Sequence, residues 1–245
     1  MSPRDLRVPA RRVPRWLENF AHRHGQVRLT VDQHALTAAG DDGATARLRL
    51  PLELEYAGPA ALEPFLAAVE ECCAGTDWGV LLVRKGGFAV ARLRGVDVLA
   101  SKVGRRHVQG RTKAGGQSQQ RFARRRDNQA RAAYEAAADH AARILLEPAS
   151  GDHVSARGGG HVRRTGVDRR AGGRDVERLV CGGDRGAVDA VLADRRHPGL
   201  ATLTELRVAQ WLPVPDPRRD VLHDAVQEAL AVAVELHEPG PVAGD

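Results

Sequence analysis

The chain has 245 residues, 42% of them hydrophobic and only 4% aromatic, so its length allows one sizeable core or two small ones built mainly from Leu, Val and Ala. The net charge of +6 comes almost wholly from arginine and favours partners with phosphate backbones or anionic surfaces. Cys72, Cys73 and Cys181 are an odd set with two adjacent, which excludes a disulfide framework and a C-x-x-C metal knuckle. The basic start from Met1 to Arg15 lacks the apolar core of a signal peptide, and no stretch reaches roughly 18 apolar residues. A soluble, cytoplasmic protein with no membrane contact and buried thiols is expected.

Residues 13–25 read as a short helix, with Pro14 at its first turn, Leu17 and Phe20 on one face and Gly25 at its end. Alternation follows at Val27, Leu29 and Val31, then at Ala46, Leu48, Leu50, Leu52 and Leu54. Period two predicts half-buried strands, with Asp41-Asp42-Gly43 as the hairpin turn between them. Pro59 opens a second helix carrying Leu62, Phe65, Leu66, Val69 and Cys73 at helical spacing. Residues 1–72 are therefore expected to form a small N-terminal α+β subdomain of helix, hairpin and helix.

From Trp78 the pattern becomes a meander. Strands are predicted over Trp78 to Val83, Phe88 to Leu93 and Val96 to Val103, with Lys85-Gly86-Gly87 as the first turn. A polar loop from Gly104 to Gln117 leads into a helix of nearly thirty residues that ends near Leu146-Glu147-Pro148. Phe122, Ala130, Ala133, Ala137, Ala141 and Ile144 recur on it with a 3.6 period and should face a sheet. Arg124, Asn128, Arg131, Glu135 and Asp139 lie on another face. Residues 149–174 are rich in Gly, Arg and His and read as an exposed, disordered insertion. Beyond it come a strand over Val176 to Cys181, a helix from Asp184 to Asp194, a strand near Leu203 to Val208 and a helix from Pro217 to Glu235. The tail from Pro239 reads as frayed.

The segment that carries chemistry is Gly115-Gly116-Gln117-Ser118, between Arg111 and Lys113 on one side and Arg121-Phe122-Ala123-Arg124-Arg125 on the other. Paired glycines let a backbone take positive φ and approach another molecule closely. Glutamine both donates and accepts hydrogen bonds without adding charge. Arg111, Lys113, Arg121, Arg124 and Arg125 can bind phosphates on several sides. A narrow neutral tip wrapped in phosphate-binding charge is suited to insertion into an RNA cavity.

With its Arg121-Phe122-Ala123-Arg124 sequel, this tip resembles the middle domain of archaeal and eukaryotic class-1 release factors, whose Gly-Gly-Gln tip enters the peptidyl transferase centre. The chain also resembles the bacterial branch of the Vms-like release factors, which act on peptidyl-tRNA in stalled-ribosome quality control. The likeness runs from about Cys73 to Glu235, with residues 149–174 departing from it. It implies a ribonuclease H-like α/β domain over 73–238, a mixed sheet with packed helices. It also implies peptidyl-tRNA hydrolysis, with Gln117, Gly116 and Gly115 catalytic and Arg111, Lys113, Arg121, Arg124 and Arg125 on RNA. The expected partners are the large ribosomal subunit at its peptidyl transferase centre, ribosomal RNA and peptidyl-tRNA. No cofactor or metal is implied, and a monomer is expected. Residues 1–72 carry none of the family's stop-codon recognition motifs and no third domain follows, so codon-independent rescue is expected rather than termination. Cleavage of the tRNA near its 3′ CCA end, and a non-catalytic ribosome- or RNA-binding role, are the alternatives.

Other constellations are weaker. Gly182-Gly183-Asp184-Arg185-Gly186 lies between a strand and a helix but lacks the spacing of a P-loop or dinucleotide site, and reads as a structural turn. His22 and His24 are expected to be solvent-exposed rather than metal ligands. His107 is expected to be a passive loop residue. Asp127 and Asn128 are expected to be solvated or paired with nearby arginines.

Overall fold

A computed structural model of the chain describes residues 3–105, 130–147 and 176–239. It is a mixed α/β protein built on two five-stranded sheets. The first is antiparallel throughout, in the order β1 (Arg4–Val8), β10 (Val232–His237), β4 (Thr45–Arg49), β3 (Ala35–Gly40), β2 (Val27–Asp32). Leu36, Ala38, Ala46, Leu48, Val232 and Val234 point to one face, where they meet Phe20 of α1 (Val13–His24) and Phe65 and Val69 of α2 (Leu62–Gly75). The helix expected over 13–25 is α1, with Pro14 in its first turn and Gly25 as its C-cap at φ 82°.

Four features of this region differ from expectation. Two turns separate β2 from β4: Gln33-His34 closes β2–β3, and Asp41–Gly43 closes β3–β4 rather than a single hairpin. β3, Ala-Leu-Thr-Ala-Ala-Gly, is strand because it is paired on both sides, not because alanine favours strands. Strand β4 stops at Arg49, because Pro51 has no N–H and Leu52 and Glu53 take φ of 57° and 54° in a tight turn. His24 is buried at the end of α1, where it hydrogen-bonds Asp42 at 2.8 Å and lies against Phe20. His22 is exposed.

The second sheet has the order β7 (Asp97–Arg105), β6 (Gly87–Arg94), β5 (Asp77–Arg84), β8 (Arg178–Gly183), β9 (Arg207–Leu212). β5, β8 and β9 are parallel, and β6 runs antiparallel between β5 and β7, so β6 alone is reversed. β5 is buried on both faces, which explains why it reads as a continuous apolar run. On one face Leu81, Val83, Phe88, Leu179 and Cys181 pack against α3 (residues 130–141, continued by a π-helical turn Ala142–Leu146) and α4 (Arg185–Leu192). On the other, Trp78, Val80, Leu82 and Val180 pack against α5 (Arg219–Ala229). The helix expected to run to Glu235 ends at Ala229, and its continuation is β10, which joins the first sheet between β1 and β4. The expected division at residue 72 is thus bridged by a strand from the chain's far end.

The described part of the alanine stripe faces the sheet: Ala133, Ala137, Ala141 and Ile144 are buried, whereas Ala130 is half-buried. Phe122, Arg124 and Asn128 lie outside the described residues. Small side chains let α3 lie close to β5 and β6, and Ala137 is 0% exposed, so no volume is free there. Ala137→Trp is expected to lower unfolding free energy by about 1–3 kcal/mol or more, measured by denaturant titration. An unmoved midpoint would place Ala137 on an open face.

Candidate nucleic-acid interface

Gly115, Gly116 and Gln117, with Arg111, Lys113, Arg121, Arg124 and Arg125, lie outside the described residues, as do His107, Asp127, Asn128 and the 149–174 segment. What is described is the frame at either end of residues 106–129. The frame begins at Arg105, the last residue of β7, and resumes at residue 130 on α3.

Both attachments lie at one edge of the second sheet. Arg105 is opposite Gly87, the first residue of β6, which in turn is opposite Arg84 at the end of β5. Helix α3 runs back from the same edge. Its His140 ring stacks on Phe88, 5.5 Å between centroids, and Phe88 pairs with Val83 and Gly104. Five residues later Leu145 lies against Gly79, near the start of β5. Residues before His140 therefore extend toward or past the ends of β5 and β7, since each helical residue adds about 1.5 Å.

The frame is held by polar contacts as well as apolar ones. Arg143 donates to His140 Nδ1 at 2.9 Å, and burial, then Arg143 and Lys102, hold the imidazole below its ordinary pKa. Asp139 pairs with Arg196 and His197, and the Glu135 carbonyl accepts from Arg196, fastening α3 to the segment after α4. Arg92, buried in β6, donates to the Glu147 carbonyl at 2.6 Å and fixes the helix's far end. Arg131 is exposed. Of the face expected to be solvated, Arg131 and Asp139 are exposed and Glu135 is half-buried.

The Gly182–Gly186 turn sits at the same sheet edge. Gly183 has φ 89°, and a Cβ there would fall 2.3 Å from the Val83 carbonyl oxygen, so the position requires glycine. Asp184 caps α4, its side chain accepting from Ala187 N, as a structural turn should. The next residue does something the sequence reading passed over: the Arg185 guanidinium lies over the Trp211 ring, 4.3 Å from its centroid. Trp211 donates in turn to the Gly183 carbonyl at 3.1 Å. A tryptophan near the end of a strand, with an arginine just after a glycine turn, was the available signal, but only the strand order brings them together.

Among the described residues no group of histidine, cysteine or acidic side chains is arranged to hold a metal. The thiols are set back from chemistry: burial pushes Cys72 up to about 11 and Cys181 up to about 12. No described helix is long and apolar enough to cross a membrane. The chain matches no curated protein. A model of the Actinobacteria/chloroflexi VLRF1 release factors matches residues 76–235, which span the second sheet, its helices and residues 106–129 between β7 and α3. The chain belongs to the Actinobacteria/chloroflexi VLRF1 release factor family.

Proposed function

We propose that this protein is a ribosome-associated peptidyl-tRNA hydrolase that releases nascent chains from stalled ribosomes without reading a codon. The observation that carries the proposal is that the release factor match runs through the Gly115-Gly116-Gln117 segment and its arginines. Family membership supports a release factor-like role at the ribosome, and the strand order with β6 alone reversed supports a ribonuclease H-like catalytic unit. Codon independence rests on the sequence of residues 1–72, which carries no stop-codon recognition motif.

In this reading the reacting bond is the ester between the nascent peptide and the tRNA 3′ end. A water oxygen attacks the ester carbonyl, the tRNA 3′ oxygen leaves with a proton, and the peptide departs as its carboxylate. Gln117 offers no strong base. Its backbone N–H and side-chain amide position the water and stabilise charge developing on the reacting ester, with groups of ribosomal RNA in the peptidyl transferase centre. Gly115 and Gly116 permit the approach because they lack side chains. The test is release of labelled peptide from a ribosome stalled with a sense codon in the A site. Release is expected with the full chain; its absence would overturn the hydrolase, and release confined to stop codons would overturn codon independence.

The flanking arginines are proposed to bind phosphates. Neutralising Arg121, Arg124 and Arg125 together is expected to flatten the salt dependence of ribosome binding by about one unit in slope per lost contact. An unchanged slope in a binding titration would make those residues a solvated helix face.

A further inference from the structure

We propose that the edge of the second sheet from which the tip-bearing loop departs is itself a docking surface for the phosphate backbone of the tRNA acceptor arm, with Arg185 on Trp211 at its centre. This rests on the peptidyl-tRNA reading above and adds a second contact, outside residues 106–129.

The surface is built where β5, β7, β8 and β9 end. Its cations are Arg84, Lys85, Arg105, Arg185, Arg218 and Arg219, all exposed. Backbone geometry draws several of them together. Asp184 N donates to the Val83 carbonyl at 2.8 Å, so Arg185 follows directly beside the end of β5. Arg84 donates to the Val214 carbonyl at 2.9 Å, tying the β5 end to the segment that leads into Arg218 and Arg219. Lys85 stands in the turn between Arg84 and Gly87, and Arg105 is opposite Gly87. Among the described residues, Asp184, Asp216 and Asp220 also lie at this edge, with Glu135 on the nearby part of α3, and Asp184 is engaged in capping α4.

Among the described residues the opposite edge of the sheet has the reverse balance, with Asp77, Asp97, Glu147, Glu177 and Glu205 flanking the strand ends. Arg94, Arg178 and Arg207 are its flanking cations. Arg94 is held by buried Asp77 at 3.2 Å and Arg207 by Asp189 at 2.7 Å. Among the described residues, the cations are concentrated at the strand ends that include Arg105, where the 106–129 segment begins. Such a field orients the domain before contact.

Arg185 is suited to a phosphate by more than its charge. The cation–π contact with the indole restrains the guanidinium, so less side-chain entropy is lost when it meets a phosphate. The acceptor arm is the RNA that the peptidyl-tRNA reading brings near this edge. Gln117 is twelve residues from Arg105 and so within about 40 Å of it by chain length alone. An RNA whose 3′ end meets Gln117 therefore has phosphates within reach of Arg105 and the cations beside it.

The test compares the full chain with its Lys85→Gln, Arg185→Gln double variant for binding to an acceptor-arm minihelix ending in CCA, over a salt series. The double variant is expected to bind on the order of tenfold more weakly, with a salt slope lower by about one unit per lost contact. Arg185→Lys, which keeps the charge but not the guanidinium fork, should fall between the two. Circular dichroism confirms the fold, because both side chains are exposed. Unchanged minihelix affinity and slope in the double variant would overturn the proposal. So would weaker ribosome binding with unchanged minihelix binding, which would assign the patch to ribosomal RNA. Peptide release by the unaltered chain separates this from the hydrolase reading: its absence would overturn the hydrolase, whereas unchanged minihelix binding by the double variant overturns the docking surface alone.

Discussion

Replacing Gln117 with alanine is expected to slow peptide release by about 10²–10³-fold while leaving the unfolding midpoint unchanged. The magnitude is that of one preorganised hydrogen-bond donor lost from a site with little water. The fold should be indifferent, because the proposed role of Gln117 lies in contact with the reacting ester and not in packing. Gly116→Ala should cause a comparable loss for a different reason, since a methyl group obstructs close backbone approach. Both are measured as single-turnover release from stalled complexes. Wild-type rates for Gln117→Ala would remove glutamine from the mechanism.

The largest effect on stability is expected from Gly95→Ala, at the β6–β7 turn. Gly95 has φ 53°, and a Cβ there would lie 1.9 Å from the Cys73 carbonyl oxygen, which is backbone and cannot swing aside. The turn is pinned from three sides: Gly95 N donates to the Thr76 carbonyl, Val96 N to the Cys73 carbonyl, and the buried Trp78 indole to the Gly95 carbonyl, all within 2.9 Å. Moving the turn to admit a methyl group would break contacts that join α2 to the second sheet. Left-handed strain costs about 1–3 kcal/mol for a non-glycine residue and the overlap adds to it, so a loss on the order of 3 kcal/mol or more is expected by denaturant titration. Gly75→Ala, with nothing within 4 Å of the added carbon, is the control and should be near neutral or slightly stabilising. Equal effects at the two positions would mean the Gly95 turn is not pinned.

What was legible in the sequence followed the strength of local signals. β5, β6 and β7 were marked by apolar runs and glycine turns, and the structure places them within one or two residues of the expected bounds, β7 beginning at Asp97 rather than Val96. α1 was marked by Pro14 and Gly25. β3 was not legible, because alanines carry little strand signal and their pairing with β2 and β4 is non-local. β10 was misread as helix. Val232, Val234 and Leu236 alternate as a strand should, but they follow an apolar helical stretch without a break, and period two is weak over six residues. At the candidate site, the loop and its charges were visible as a motif, whereas the partnership of Arg185 with Trp211 required the β8–β9 pairing.

The most direct test of the account follows the fate of the tRNA. A stalled complex carrying peptidyl-tRNA labelled at both the peptide and the tRNA 3′-terminal nucleotides is treated with the full chain, and the products are resolved by size. The account predicts free peptide together with a full-length tRNA ending in intact CCA. A shortened tRNA, with the peptide still bearing a nucleotide remnant, would contradict ester hydrolysis and make the protein a nuclease acting at the same end.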